Sequence, residues 1–194
     1  MNRLDLVVGP NGAGKSTFVE FTLAPLLPGS VFVNADEIAK QRWPQDSAAH
    51  AYEAAQIAAA ETRANLIELG RPFIAETVFS HPSKLDLIDT AHAAQYTVVL
   101  HILLIPEELA VQRVAHRVSA GGHPVADDKI RDRYHRLWAL VTEAIMRCDQ
   151  ATVYDNSGLK GPRIVAQMSE GFIVGFHEWP PWTPTVLQSR WPIE

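Results

Sequence analysis

Short apolar runs alternate along this chain with longer segments in which apolar residues recur at helical spacing. Leu4-Asp5-Leu6-Val7-Val8 is the first run and ends in a glycine-rich turn, after which residues 15–26 read as a helix. Val31-Phe32-Val33 is a second run, stopping at Asn34-Ala35-Asp36, with a helix expected from Glu37. Residues 47–69 are rich in alanine and free of proline and glycine. Ser47 suits an N-cap there and Gly70 a C′ position, which predicts one long helix. Phe73-Ile74-Ala75 is a third run, ending at Glu76-Thr77. A helix over 82–94 and the most buried strand over 97–105 follow. Residues 107–119 are helical, 120–124 (Ala-Gly-Gly-His-Pro) break the pattern, and 127–147 resume it, with Ile130, Tyr134, Leu137, Val141 and Ile145 on one face. A last strand is expected over 151–154, closed by Asp155-Asn156-Ser157-Gly158.

Near-continuous apolar strands alternating with helices predict an α/β fold, a mostly parallel central sheet covered by helices on both faces. At 194 residues the chain suits a single domain, with neither an internal repeat nor a low-complexity linker. The tail over 176–194 carries four of the 13 prolines and three of the five tryptophans, and is expected to pack as irregular coil.

Composition narrows the functional classes. Hydrophobic residues at 47% and charged residues at 20% fit an ordinary globule. Seventeen Lys+Arg against 22 Asp+Glu leave a net charge of −5, which disfavours a nucleic-acid duplex as partner. The run over 97–105 is interrupted by His101 and falls far short of the roughly 20 residues of a membrane helix. Asp5 and Gly9 spoil the N-terminus as a signal peptide, so the expected setting is cytoplasmic, without membrane attachment. The lone cysteine, Cys148, excludes an internal disulfide and a cysteine zinc finger, and reads as a core residue. His116, His123 and His135 lack metal-ligand spacing.

Gly9-Pro10-Asn11-Gly12-Ala13-Gly14-Lys15-Ser16 matches G-x-x-x-x-G-K-[ST] at every defined position, with a strand running in and a helix starting at the lysine. Glycines let such a loop wrap phosphates with backbone N–H groups at a helix N-terminus. Gly9 to Ser16 and Thr17 are therefore expected to bind ATP, with Lys15 on the β- and γ-phosphates and the Ser16 hydroxyl on Mg²⁺. The Asn-Lys-x-Asp pattern that selects guanine is missing, and so is the apolar strand ending in Asp-Glu of motor ATPases. What the chain offers instead is an acid at the end of each of two strands, where the ligand crevice of an open α/β sheet lies. Asp36 reads as a general base for an attacking hydroxyl or as a helix N-cap. Glu76 reads as a contact to substrate hydroxyls or to a Mg²⁺-bound water, or as a solvated strand-end acid; Thr77 and Ser80 stand beside it as substrate-binding candidates.

Arg113 and Arg117 share a helix face. Arg131, Arg133 and Arg136 lie beyond Gly121-Gly122, which reads as the hinge of a lid over about 117–133. Arginines on a closable lid can stabilise a migrating phosphoryl group, and Arg117 and Arg133 are the leading candidates, with Arg113 as a nucleotide contact.

These segments, in order, resemble the zeta-toxin-like P-loop kinases. The likeness runs over about residues 1–158, through the phosphate loop, Asn-Ala-Asp (34–36), Phe-Ile-Ala-Glu-Thr (73–77), Arg-Val-Ala-His-Arg-Val (113–118), Gly-Gly-His (121–123), Arg-Tyr (133–134) and Tyr-Asp-Asn-Ser (154–157). It implies a three-layer sandwich with a helical lid, and ATP-dependent phosphorylation of a small molecule's hydroxyl. In toxin members the acceptor is UDP-N-acetylglucosamine at its 3′-hydroxyl, and an antitoxin protein is a partner. By position, Asp36 then resembles the catalytic base, Lys15 the phosphate-binding lysine, Ser16 the Mg²⁺ ligand, Glu76 and Thr77 the sugar-nucleotide contacts, and Arg117 and Arg133 the γ-phosphate arginines. Pro124 follows Gly-Gly-His directly, where relatives often place it two residues later. Two rival readings remain: a kinase for a different small metabolite, nucleotide or nucleic-acid end, and a non-catalytic ATP-binding module whose lid is read by a protein.

Overall fold

A computed structural model describes residues 2–44, 48–119 and 125–193. Its seven strands form one sheet in the order β2-β3-β1-β4-β5-β6-β7: β1 (Arg3–Val8), β2 (Val31–Val33), β3 (Phe73–Thr77), β4 (Thr97–Leu104), β5 (Gln150–Asp155), β6 (Arg163–Ser169) and β7 (Phe172–Ile173). The first five are mutually parallel. Parallel strands need crossovers, and helices supply them: α1 (Lys15–Phe18), α2 (Ala24–Leu26), α3 (Ala35–Arg42), α4 (Ala48–Glu68), α5 (Leu85–Ala93), α6 (Glu107–Ser119) and α7 (Asp127–Arg147). The central strands are apolar on both faces because both faces are covered. Leu4, Leu6 and Val8 of β1 and Leu100, Ile102 and Leu104 of β4 line one face, each fully buried.

The sheet differs from the expected one at its far edge, where β6 and β7 run antiparallel. A bulge at Val153/Tyr154 shifts the register, and Val165 and Ala166 are consecutive buried residues, so no clean alternation marks β6 in the sequence. The tail also departs from irregular coil. It forms a short helix, α8 (Thr185–Arg190), which buries Leu187. The indole N–H groups pin it down: Trp179 donates to the Trp191 carbonyl at 2.7 Å and Trp191 to the Gly171 carbonyl at 2.9 Å.

Two helices are less regular than expected. A π-helical turn, Val19–Leu23, separates α1 from α2, with the Ala24 N–H reaching back to the Val19 carbonyl. Pro25 has no N–H and crowds the carbonyl four residues earlier, so a wider turn just ahead of it relieves the clash. A 3₁₀ turn at Pro82–Lys84 precedes α5. Helix α4 ends as predicted at Gly70, whose φ of +63° is the left-handed conformation of a C′ glycine. Ser47, the expected cap of α4, and residues 120–124, the expected hinge, lie outside the described residues.

Inside the sheet lies a polar network of residues that the sequence leaves far apart. Asp5, fully buried on β1, accepts from the Arg3 guanidinium at 2.7 Å through both oxygens and pairs with His101 Nε2 of β4 at 2.9 Å. The Tyr154 hydroxyl of β5 reaches His101 Nδ1 at 3.4 Å, and the Phe18 ring of α1 packs over both His101 and Tyr154. Burial opposes the Asp5 charge, but Arg3 and His101 outweigh it and hold the carboxyl below its ordinary pKa.

Candidate active site

The chain builds the sheet outward from β1 in both directions, so the crevice lies at the C-terminal ends of β1, β3 and β4. Register sets what stands there. Val7 of β1 lies opposite Glu76 and Val8 opposite Thr77, one residue ahead of Gly9. The phosphate loop thus leaves the sheet beside Glu76.

The loop is shaped for an anion. Gly12 and Gly14 have φ of +75° and +82°, which disfavour any side chain. A Cβ on Gly12 would come within 2.8 Å of the Ala110 carbonyl, and one on Gly14 within 2.8 Å of Asn156 Nδ2. The same Asn156 amide donates to the Ala13 carbonyl at 2.7 Å, bracing the loop from the end of β5. Arg113 on α6 donates to the Asn156 carbonyl at 3.0 Å and, more weakly, to the Ser157 and Gly12 carbonyls at 3.4 and 3.5 Å. It is a brace between the loop and the 156–157 turn.

Lys15 is 7% exposed, and its ammonium is folded onto its own loop, donating to the Gly9 carbonyl at 3.1 Å and the Pro10 carbonyl at 3.0 Å. Burial lowers its pKa; the charges of Glu76 and Asp36 work against that, and Arg117 adds to it. All three are therefore within electrostatic reach of Lys15.

Around the lysine the side chains form a chain of contacts. The Ser16 hydroxyl donates to Glu76 Oε2 at 2.9 Å, and Asn34 Nδ2 donates to the same oxygen at 2.6 Å. The Asn34 carbonyl oxygen accepts from the Asp36 N–H at 2.7 Å and the Glu37 N–H at 3.4 Å. Asn34 is thus the N-cap of α3, with the extended backbone a cap requires, and the helix begins at Ala35 rather than Glu37. Asp36 sits exposed in the first turn, and its carboxylate makes no hydrogen bond among the described residues. Of its two sequence readings, the capping role belongs to Asn34.

Thr77 and Ser80 follow on the same strand end. The Thr77 hydroxyl accepts from the Phe79 N–H at 3.2 Å, shaping a turn in which the buried Phe79 adopts φ of +64°. This is a strained conformation for an aromatic residue, and such strain gathers at functional sites. Ser80 is half-buried beside it. Asn11 Oδ1, in the loop, is buried without a partner among the described residues.

The arginines divide. Arg117 is exposed, near Lys15 and unpaired among the described residues. Arg131 is taken by Glu108 and Glu107 at 2.6–3.1 Å, tying α7 to the start of α6. Arg133 is half-buried, and its side chain makes no hydrogen bond or ion pair with the phosphate loop among the described residues. Of the expected lid, the α7 part is anchored: Ile130 is in the core, and the Tyr134 hydroxyl donates to the Ile105 carbonyl at 3.0 Å. Sequence reasoning misses Asn34 and Asn156 as site residues. Asn34 is visible as a cap-type residue but stands two positions from the more conspicuous Asp36.

The donors fit a Mg²⁺–nucleotide pair: loop N–H groups and an ammonium for phosphates, and a hydroxyl and a carboxylate for a hard cation. Among the described residues no group of three or more His, Cys, Asp or Glu side chains is placed to hold a metal ion. Among the described residues no helix is long and apolar enough to cross a membrane.

Known structures share this architecture. A chain from the PezAT chromosomal toxin–antitoxin system of Streptococcus pneumoniae superimposes with a TM-score of 0.65 at 16% identity, covering 98% of this chain and 84% of that one. The AvrRxo1-ORF1:AvrRxo1-ORF2 complex with sulphate ions gives 0.66 at 15% identity, covering 90% of this chain but only 60% of that one; the same complex is also known with ATP. Shikimate kinase from Acinetobacter baumannii, in complex with shikimate, gives 0.50 at 19% identity, covering 73% and 79% of the two chains. No curated protein sequence matches the chain. The fold is that of the P-loop kinases. The Zeta toxin family model matches residues 2–160, which include the phosphate loop, both strand-end acids and the arginine helix, and the chain therefore belongs to the zeta toxin family.

Proposed function

We propose that this protein transfers the γ-phosphoryl group of ATP to a hydroxyl of a small molecule, with Mg²⁺, and that the acceptor is the 3′-hydroxyl of UDP-N-acetylglucosamine. The observation that carries the reading is Asp36. Its carboxylate stands unpaired among the described residues, beside a complete phosphate loop, and its position as a cap is filled by Asn34. Binding ATP needs no such base, which favours catalysis over a passive ATP-binding module. The AvrRxo1 complex with ATP supports the nucleotide, and family membership supports the reaction.

In this mechanism the loop N–H groups and Lys15 hold the phosphates, and Lys15 exchanges its contacts to the Gly9 and Pro10 carbonyls for phosphate oxygens. Asp36 accepts the acceptor's proton as its oxygen attacks the γ-phosphorus; the bond to the bridging oxygen breaks and ADP leaves. Arg117 stabilises the charge on the group in flight. Ser16 would hold Mg²⁺, which when bound would supply positive charge to offset that of the phosphates. Arg133 is proposed, from its place in the resemblance, as a second arginine for the group in flight. The likeness to a toxin–antitoxin system makes an antitoxin a proposed partner, and a UDP-sugar acceptor agrees with a cytoplasmic setting.

Incubating the protein with Mg²⁺, γ-labelled ATP and UDP-N-acetylglucosamine, alongside a small-metabolite extract, tests this by mass spectrometry. The expected product is a sugar nucleotide heavier by one phosphoryl group. Labelling of a different metabolite would keep the kinase and replace the acceptor; ATP binding with no labelled product would leave only the passive module.

A further inference from the structure

We infer that Arg63 of α4 and Lys84 at the head of α5 form an anion subsite beside the acceptor crevice, and that it holds the diphosphate of a nucleotide-linked acceptor. This rests on the kinase reading above. It assigns residues to the acceptor's charge, which the acids Asp36 and Glu76 would repel.

Three observations carry it. First, the fold sets the two helices side by side. β3 lies next to β2, and β4 lies further along in the same direction, so right-handed crossovers place α4 and α5 on one face of the sheet. The Tyr96 hydroxyl, just past α5, donates to the Leu66 carbonyl of α4 at 2.7 Å. Second, both cations stand where a merely solvated charge would not. Arg63 is half-buried and shares a helix face with the buried Ala55, Ala59 and Leu66. A Cβ on Gly70, past the end of α4, would stand 3.3 Å from Asn2 Oδ1 at the foot of β1, so α4 begins at the crevice end of the sheet. Helical side chains lean toward the start of their helix, and Arg63 therefore leans toward the rim that carries Glu76 and Thr77. Lys84, also half-buried, closes the 3₁₀ turn that follows Ser80 on that rim. Third, neither charge has a hydrogen-bond or ion-pair partner among the described residues. Burial lowers the pKa of both, and the Arg63 charge lowers that of Lys84 further, so the two act on each other with no described carboxylate to offset them. Two half-buried like charges held together are a cost that a bound dianion removes. Two separate cations suit a diphosphate, whereas a single carboxylate is satisfied by one arginine fork.

The test is calorimetric titration of UDP into protein whose phosphate loop is already filled with Mg²⁺ and a non-hydrolysable ATP analogue, in wild type, Arg63→Gln, Lys84→Gln and Lys84→Arg. Each glutamine variant is expected to bind UDP about 10-fold or more weakly, the effect of removing one charge-assisted contact, while Lys84→Arg retains binding. Affinity for the ATP analogue should match wild type in all of them. Without ligand, both glutamine variants should melt at the wild-type temperature or above it, because a repulsion has gone; a purely structural role would lower it. Wild-type UDP affinity in both glutamine variants would overturn the subsite, and so would joint loss of UDP and ATP-analogue binding, which marks general damage. Wild type that takes up the analogue but not UDP would overturn the subsite and leave the kinase reading with an acceptor of different charge. Wild type that fails to bind the analogue would overturn the kinase reading itself, and the subsite with it.

Discussion

In the proposed reaction Lys15 leaves the loop carbonyls that hold it here for the phosphates of ATP. Its ammonium is buried and satisfied by two carbonyls, and burial lowers its pKa despite Glu76 and Asp36 nearby. Bound phosphates would favour the charged form, so ATP binding should be linked to the Lys15 proton. The sign is set by the lowered value: affinity is full while Lys15 is protonated and falls as pH rises through a pKa below lysine's ordinary value of about 10.4. ATP Kd measured by calorimetry across the alkaline range should rise with pH in wild type, whereas Lys15→Met should bind weakly with little pH dependence. A pH-independent wild-type Kd up to the ordinary lysine value would contradict this. The lysine's identity is legible from the loop motif. Its contacts are not, because they depend on where Gly9 and Pro10 point their carbonyls.

Among the elements, β1 carries the loop and, paired with β4, buries Asp5 against His101, on which the Phe18 ring of α1 packs. The pairing joins residues 96 positions apart, so no local spacing announces it. The same holds for β6, whose inward residues are set by a bulge, and for α8, flanked by Pro184 and Pro192 with only Leu187 buried within it. The first five strands are readable because their apolar runs are short and end in turn residues. Asn34 is hard to read as the cap because the choice between two cap-type residues depends on the backbone angle at one of them. The buried network yields an acid-stability prediction. Asp5 has a folded-state pKa below its unfolded value of about 3.9, so its stabilising contribution is present above about pH 4 and is lost as pH falls through the folded value. Asp5→Asn should cost about 1.5–3 kcal/mol at pH 7, the range for hydrogen bonds to a charged group. That gap from wild type should shrink below pH 4. Urea unfolding at pH 7 and pH 3 measures both, and an equal gap at the two would count against the network as described.

At the scale of the whole molecule, the strand order puts the phosphate loop, Glu76 and the Asn34–Asp36 turn at one rim, and α6 brings Arg113 and Arg117 over it. The antiparallel strands β6 and β7 complete the sheet beyond β5. Everything proposed for the chemistry converges on Asp36 as the group that takes the acceptor's proton, so Asp36→Asn is the most direct measurement. Asparagine retains the shape and the first-turn position while being unable to act as a base. ATP–Mg²⁺ affinity, titrated alongside single-turnover transfer to UDP-N-acetylglucosamine, should stay within about a few-fold of wild type while the transfer rate falls by about 10²–10⁴. Transfer at a near wild-type rate in Asp36→Asn would contradict the account.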